Sequence, residues 1–209
     1  EANYLALAAA LERDAGDEVL LADPVYPYYP GKARMLGADV RLVPVGDDGH
    51  LDVAAMREAA SASTAAVVVN TPNNPTGAVY DAETMAAVAD LAAENDAVLV
   101  SDEVYDHYDF SGRFASALSV DAGDVVVTNA FSKSMAATGL RVGYGVFPPD
   151  LADAARTRHM LVNVTGARPS QAAVLRALRE TGPEYYEASR DLLAERVDAF
   201  TDALDAAEA

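Results

Sequence analysis

The 209-residue sequence has no cysteine and no tryptophan, and only two lysines, Lys32 and Lys133, beside thirteen arginines. Without cysteine there is no disulfide framework and no thiolate-ligated metal. Positive charge is scarce: 15 Lys plus Arg face 33 Asp plus Glu, a formal balance of −18. That balance repels nucleic-acid phosphates and anionic lipid, so neither is an expected partner. Long apolar runs are lacking too. The longest, Tyr4 to Leu11, is eight residues, against the roughly 20 of a bilayer-spanning helix. No signal-peptide pattern opens the chain, and the cytoplasm is the expected compartment. His50, His107 and His159 form no metal-ligand spacing and read as structural or surface positions; no metal is expected.

What is present is a strong apolar pattern. Residues of apolar type make up 51% of the chain, enough for a sizeable core and against disorder as the main state. Short β-branched runs at 19–22, 40–43, 65–70, 97–102, 125–129 and 142–146 read as strands, three of them nearly continuous apolar runs suited to a sheet covered on both faces. Amphipathic stretches lie between them. In 82–94, Met85, Val88, Ala89 and Ala92 share one stripe. Strand–helix alternation predicts an α/β fold, a mostly parallel doubly wound sheet flanked by helices. After Pro148-Pro149 the pattern turns helical, at 150–161, 170–179 and from 184 onward, where Leu193, Val197, Phe200 and Leu204 recur at helical spacing. Thr181-Gly182-Pro183 separates the last two helices. Both ends read as cut within helical patterns. Acidic excess with scarce lysine and many alanines fits a protein kept in solution at high salt, where screening cancels self-repulsion; an acidic bias from a GC-rich genome is the plainer alternative.

Ligands of open α/β sheets bind at the carboxyl ends of the strands, and the residues there are unusual. The first strand is followed by Asp23-Pro24-Val25-Tyr26-Pro27-Tyr28-Tyr29-Pro30, tyrosines on a proline-stiffened backbone that can stack on a flat ligand or simply form a turn. The third is followed by Asn70-Thr71-Pro72-Asn73-Asn74-Pro75-Thr76-Gly77, a rigid loop able to aim the Asn74 amide inward, or a plain turn. The fourth ends in Asp102-Glu103-Val104-Tyr105. An acid closing an apolar strand needs a cation or donor, or caps the next turn. After the fifth come Ser132-Lys133 and then Arg141. A chain that uses arginine nearly everywhere places one of its two lysines here, and lysine can deprotonate and form a Schiff base where arginine cannot. Arg141 suits phosphate by its bidentate fork. An amine, a carboxylate, a phenol, an amide, a stacking aromatic and an arginine suit an aromatic phosphorylated aldehyde, for which pyridoxal 5'-phosphate is the candidate.

Pro24-Val25-Tyr26-Pro27, Asn74-Pro75-Thr76-Gly77, Asp102-Glu103-Val104-Tyr105 and Ser132-Lys133 with Gly139-Leu140-Arg141-Val142-Gly143-Tyr144 resemble, in order and spacing, the fold-type-I, class I/II aminotransferases. The resemblance implies the large-domain portion of such an enzyme: a cofactor-binding α/β domain at 1–160 without its N-terminal part, then a helical continuation at 161–209 toward a small domain that is largely absent. It implies Lys133 as the lysine that binds the cofactor, Asp102 beside the pyridine nitrogen, Tyr105 and Asn74 on the ring's phenolic oxygen, Tyr26 stacked on the ring, and Ser132 and Arg141 on the phosphate. Ala130 stands where the family often has a serine, which removes one phosphate contact. Amino-acid and 2-oxo-acid substrates and a homodimer follow from the same resemblance. The scaffold also serves carbon–sulfur lyases and other eliminating enzymes, and aminotransferase-like sensor domains share it. No Gly-x-Gly-x-x-Gly follows the first strand, which argues against a dinucleotide-binding domain. Arg168 reads as a surface residue.

Overall fold

The computed structural model describes residues 1–13, 16–121 and 123–208. Its strands are β1 (Glu18–Asp23), β2 (Asp39–Pro44), β3 (Thr64–Asn70), β4 (Val98–Asp102), β5 (Asp124–Ala130) and β6 (Gly143–Val146), and its helices are α1 (Ala2–Leu11), α2 (Tyr28–Met35), α3 (Val53–Ala59), α4 (Ala82–Glu94), α5 (Phe131–Ser134), α6 (Pro149–Val162), α7 (Arg168–Glu180) and α8 (Pro183–Glu208). The strands form one sheet in the order β2-β1-β3-β4-β5-β6. Four pairings are parallel and β5–β6 is antiparallel. The expected mostly parallel α/β sheet is therefore what the chain forms.

Alternation within the strands decides which helix lies where. Leu20, Val67, Val69 and Leu99 point to one face, where they pack with Met56 of α3 and Met85, Val88 and Leu91 of α4. Val19, Leu21, Ala66, Val68, Val98 and Val100 point to the other, against Leu7 of α1, Tyr29 and Ala33 of α2 and Leu151 of α6. Both faces of β3 and β4 are buried along their whole length, which is why these strands read as continuous apolar runs. Each fully buried Val or Leu here contributes roughly 1.5–3 kcal/mol relative to exposure. The chain fixes its helix starts locally: Asp81 Oδ1 accepts from the Thr84 amide at 2.9 Å to open α4 and Asp52 does the same for α3, each such cap being worth about 1 kcal/mol.

The order β2-β1-β3 places a chain reversal beside β1, so the carboxyl ends of β1, β3, β4 and β5 share one edge of the sheet. Arg141, at the start of antiparallel β6, comes back to that edge because Gly143 lies opposite Ala130. This return needs a close approach. A Cβ on Gly143 would sit 2.7 Å from the Asn129 carbonyl oxygen. No helix among the described residues is long and apolar enough to cross a membrane. In α8, the stripe of Leu193, Val197, Phe200 and Leu204 is exposed.

Candidate active site

Asp102 closes β4 in the middle of the shared edge, with Asn70 of β3 and Thr128 of β5 as its lateral neighbours. Only 7% of it is exposed, and the chain satisfies it generously. Oδ2 accepts from the Tyr29 hydroxyl at 2.7 Å and from the Asn3 amide at 2.6 Å. Oδ1 accepts from the Val104 amide at 3.1 Å, so the residue also caps the following turn. Its backbone carbonyl accepts from Asn70 Nδ2 at 2.9 Å, and Asn70 Oδ1 in turn accepts from the Asn74 amide at 2.9 Å. The loop carrying Asn74 is thus tied to the strand carrying Asp102.

Glu103 faces the other way. It is buried, Oε1 accepts from the Ala117 amide at 2.8 Å and from Ser101 Oγ at 3.1 Å, and burial pushes its carboxyl up from the usual range. It braces the segment 103–117 and leaves Tyr105 half-buried at the edge. The Lys133 ammonium lies over the Tyr105 ring, 5.5 Å from its centroid. Short helix α5 carries that lysine, and the Tyr108 hydroxyl anchors it by donating to the Lys133 carbonyl at 3.0 Å. Ser132 is half-buried, its carbonyl taken by Thr138 Oγ1. Arg141 is exposed, donates to the Thr138 carbonyl at 2.6 Å, and holds a left-handed backbone at φ 55°. Ala136 is left-handed as well, at φ 49°. Such conformations cost a non-glycine residue roughly 1–2 kcal/mol, and they tend to cluster where a segment is shaped for function.

Tyr26, at the end of β1, is 46% exposed and meets Tyr29 edge-on, ring centroids 6.3 Å apart. Of the residues singled out from sequence, Asp102, Asn74 and Tyr26 are connected through Asn70 and Tyr29, and Lys133 and Tyr105 face each other. Ser132 and Arg141 stand on the same edge but form no hydrogen bond with those five among the described residues. Neither Lys133 nor Arg141 forms an ion pair with an acid among the described residues. Both stand on the edge that bears Asp102, where a cation without an acid partner can meet an anionic group. A groove of about 590 Å³ between α1 and α6 offers less, since of its charged lining groups Glu12 and Arg158 pair with each other and Asp153 pairs with Arg156.

The family model described as "Aminotransferase class I and II" matches residues 1–209. The chain belongs to the class I and II aminotransferases. It is 36% identical over 200 residues to the aspartate/prephenate aminotransferase of Thermus thermophilus, covering 90% of this chain and 51% of that protein. It is 34% identical over 191 residues to the probable N-succinyldiaminopimelate aminotransferase DapC of Mycobacterium tuberculosis, covering 88% and 48%. Among solved structures it superposes on the Thermus thermophilus aspartate aminotransferase with maleate at a TM-score of 0.90 and 33% identity, covering 98% of this chain and 55% of that one. The chain spans about half the length of the curated aminotransferases it matches.

Three residues escaped the sequence reading. Asn3 is a lone polar side chain at the head of an apolar helix, and it bridges Asp102 to the Thr128 hydroxyl. Tyr29 stands three residues after Tyr26, on the inner side of the first turn of α2. Lys32, one turn further, is buried with its ammonium over the Tyr28 ring at 3.9 Å. Burial pushes its amine down to about 8, against the opposing pull of the Asp102 and Glu1 carboxylates. Of these, only the interruption of apolar periodicity by Asn3 is a visible signal. As for the histidines, His107 stacks on Tyr186 with ring centroids 4.3 Å apart and His159 pairs with Glu1.

Proposed function

We propose that this chain is the greater part of the cofactor-binding domain of a pyridoxal-phosphate-dependent aminotransferase, which exchanges an amino group between an amino acid and a 2-oxo acid. The observation that carries this reading is Lys133, a lysine without an acid partner among the described residues, held over Tyr105 on the same sheet edge as a buried carboxylate. The residues present fit the cofactor. Asp102 has an acceptor position to spare for a ring N–H, Tyr105 and Asn74 can reach a phenolic oxygen, Tyr26 offers an exposed ring face, and Arg141 with Ser132 and nearby backbone amides suits a phosphate.

Pyridoxal phosphate, when bound, supplies an electron sink for the carbanion at the substrate α-carbon. The chain's own residues do the rest. Lys133 would hold the cofactor through its amine and, when that amine is free, would serve as the base that moves the proton at the substrate α-carbon. Asp102 would keep the ring nitrogen protonated, because an opposite charge beside it favours the charged form. Tyr105 and Asn74 would donate to the phenolic oxygen and Tyr26 would cover the ring.

We also propose that the domain division falls near 160/161. The whole enzyme works as a homodimer, and the exposed apolar run Met160, Leu161, Val162 and Val164 supports such an association. A cytoplasmic, salt-adapted setting agrees with the charge of −18. The test is borohydride reduction of the full-length protein soaked in pyridoxal phosphate, followed by peptide mapping. The expected result is a single adduct on Lys133, together with consumption of added 2-oxo acid. An adduct on Lys32 alone, or none, overturns the reading.

A further inference from the structure

Four properties of Tyr29 single it out. It is 4% exposed, its hydroxyl donates to Asp102 Oδ2 at 2.7 Å, its ring is set edge-on to Tyr26, and it sits in the first turn of α2, where its amide donates to the Tyr26 carbonyl at 3.2 Å. Burial, with the Asp102 carboxylate beside it, pushes the phenol far above its ordinary range, so it remains a donor at any working pH. We propose that Tyr29 is the positioning residue for Asp102: it fixes the carboxylate so that the one acceptor position left open faces the cofactor's ring nitrogen, and it holds the proton of that contact on the nitrogen. The inference rests on the reading of the site given above and names a residue which that reading does not use.

The argument is one of counting and charge. A carboxylate has about four acceptor positions. Tyr29, Asn3 and Val104 take three of them, leaving one. A buried hydroxyl whose partner is a carboxylate stabilises the ionised form of that partner. With the carboxylate stabilised, the shared proton stays on the ring nitrogen and does not pass to Asp102. Without the hydroxyl, the carboxylate has two open positions and less to hold its charge, so both the direction of the contact and the place of its proton loosen. Asn3 does not replace it, since Asn3 Nδ2 already donates to the same Oδ2 and Thr128 holds the Asn3 amide in that place.

The test compares the full-length wild-type protein with Tyr29→Phe, which keeps the buried ring and removes only the hydroxyl. Dissociation constants are measured for pyridoxal phosphate and for its carbon analogue, in which C–H replaces the ring nitrogen. The expected result is about a tenfold weaker affinity for pyridoxal phosphate in the variant, with no change for the carbon analogue. With cofactor labelled by ¹⁵N in the ring, the variant's resonance moves toward the unprotonated position. Equal loss for both ligands would reduce Tyr29 to a packing residue and overturn the inference, as would no loss for either. Failure of the parent reading looks different: the wild-type protein itself would form no reduced adduct on Lys133.

Discussion

Lys32 and Lys133 are chemically identical, and the fold treats them in opposite ways. Lys133 stands at the open edge, whereas Lys32 is buried and its ammonium has no hydrogen-bond acceptor among the described residues. A buried cation with its amine pushed down to about 8 makes stability depend on pH in a definite direction. Between about pH 8 and the ordinary lysine value near 10.4 the unfolded chain keeps a proton that the folded chain has released, so stability climbs with pH through that window. Below pH 8 both states hold the proton and the folded state carries its full desolvation cost. Lys32→Met is therefore expected to raise stability at pH 7 by roughly 1–3 kcal/mol, less whatever the contact with the Tyr28 ring contributes, and to flatten the rise from pH 8 to 10. Urea unfolding of both forms at pH 7 and pH 9.5 decides it, and parallel pH slopes would contradict it. The same residues show what the sequence could reveal. Lys133 stood out as a candidate because its type was rare and its place followed a strand, and it does stand on the strand-end edge. Tyr29 and Asn3 reach Asp102 across 73 and 99 residues of chain, and no local pattern encodes such contacts.

At the scale of elements, the strands were legible to within a residue or two because β3 and β4 are apolar on both faces and α4 is bracketed by a capping aspartate and Asn95. The direction of β6 was not. Four residues of mixed burial carry no signature of antiparallel pairing, and the turn before them depends on left-handed Ala136 and Arg141, which the sequence does not mark with glycine. The β5–β6 pairing is what sets Arg141 and Lys133 on a common edge, and Gly143 is its closest point. Gly143→Ala would bring a methyl group to 2.7 Å from the Asn129 oxygen and 3.1 Å from the Ala130 side chain. The strands must part to admit it, which costs roughly 1–3 kcal/mol. The expected outcome is a lower urea midpoint together with weaker pyridoxal phosphate binding, because Arg141 moves with the strand. Gly139→Ala serves as the control: a Cβ there meets nothing within 4 Å. Equal effects of the two substitutions would mean that β6 does not position the arginine.

For the whole molecule the governing quantity is the charge of −18. Ion pairs such as Arg13 with Asp96 and Asp124, or Arg41 with Glu18, engage a minority of the acids, and the remainder repel one another across a small sheet domain. Added salt acts on both sets. It weakens exposed pairs, each worth about 0–1 kcal/mol, and it relieves the repulsion among the unpaired carboxylates. With more than two acids for every base, relief exceeds loss. As the screening length falls from roughly 10 Å at 0.1 M to roughly 3 Å at 1 M, the full-length protein is expected to gain on the order of 2 kcal/mol, a rise in melting temperature of about 2–4 °C. Potassium chloride is the salt to use, because sulfate or phosphate also strengthens apolar burial and would confuse the cause. A melting temperature that stays level or falls between 0.1 and 1 M would instead mean that repulsion among the unpaired acids contributes little, and that the acidic excess is a bias of composition and not an adaptation to salt. A level curve would therefore remove the salt-adapted reading while leaving the proposed roles of Lys133 and Asp102 untouched, since these rest on direct local contacts and not on the net charge of the chain.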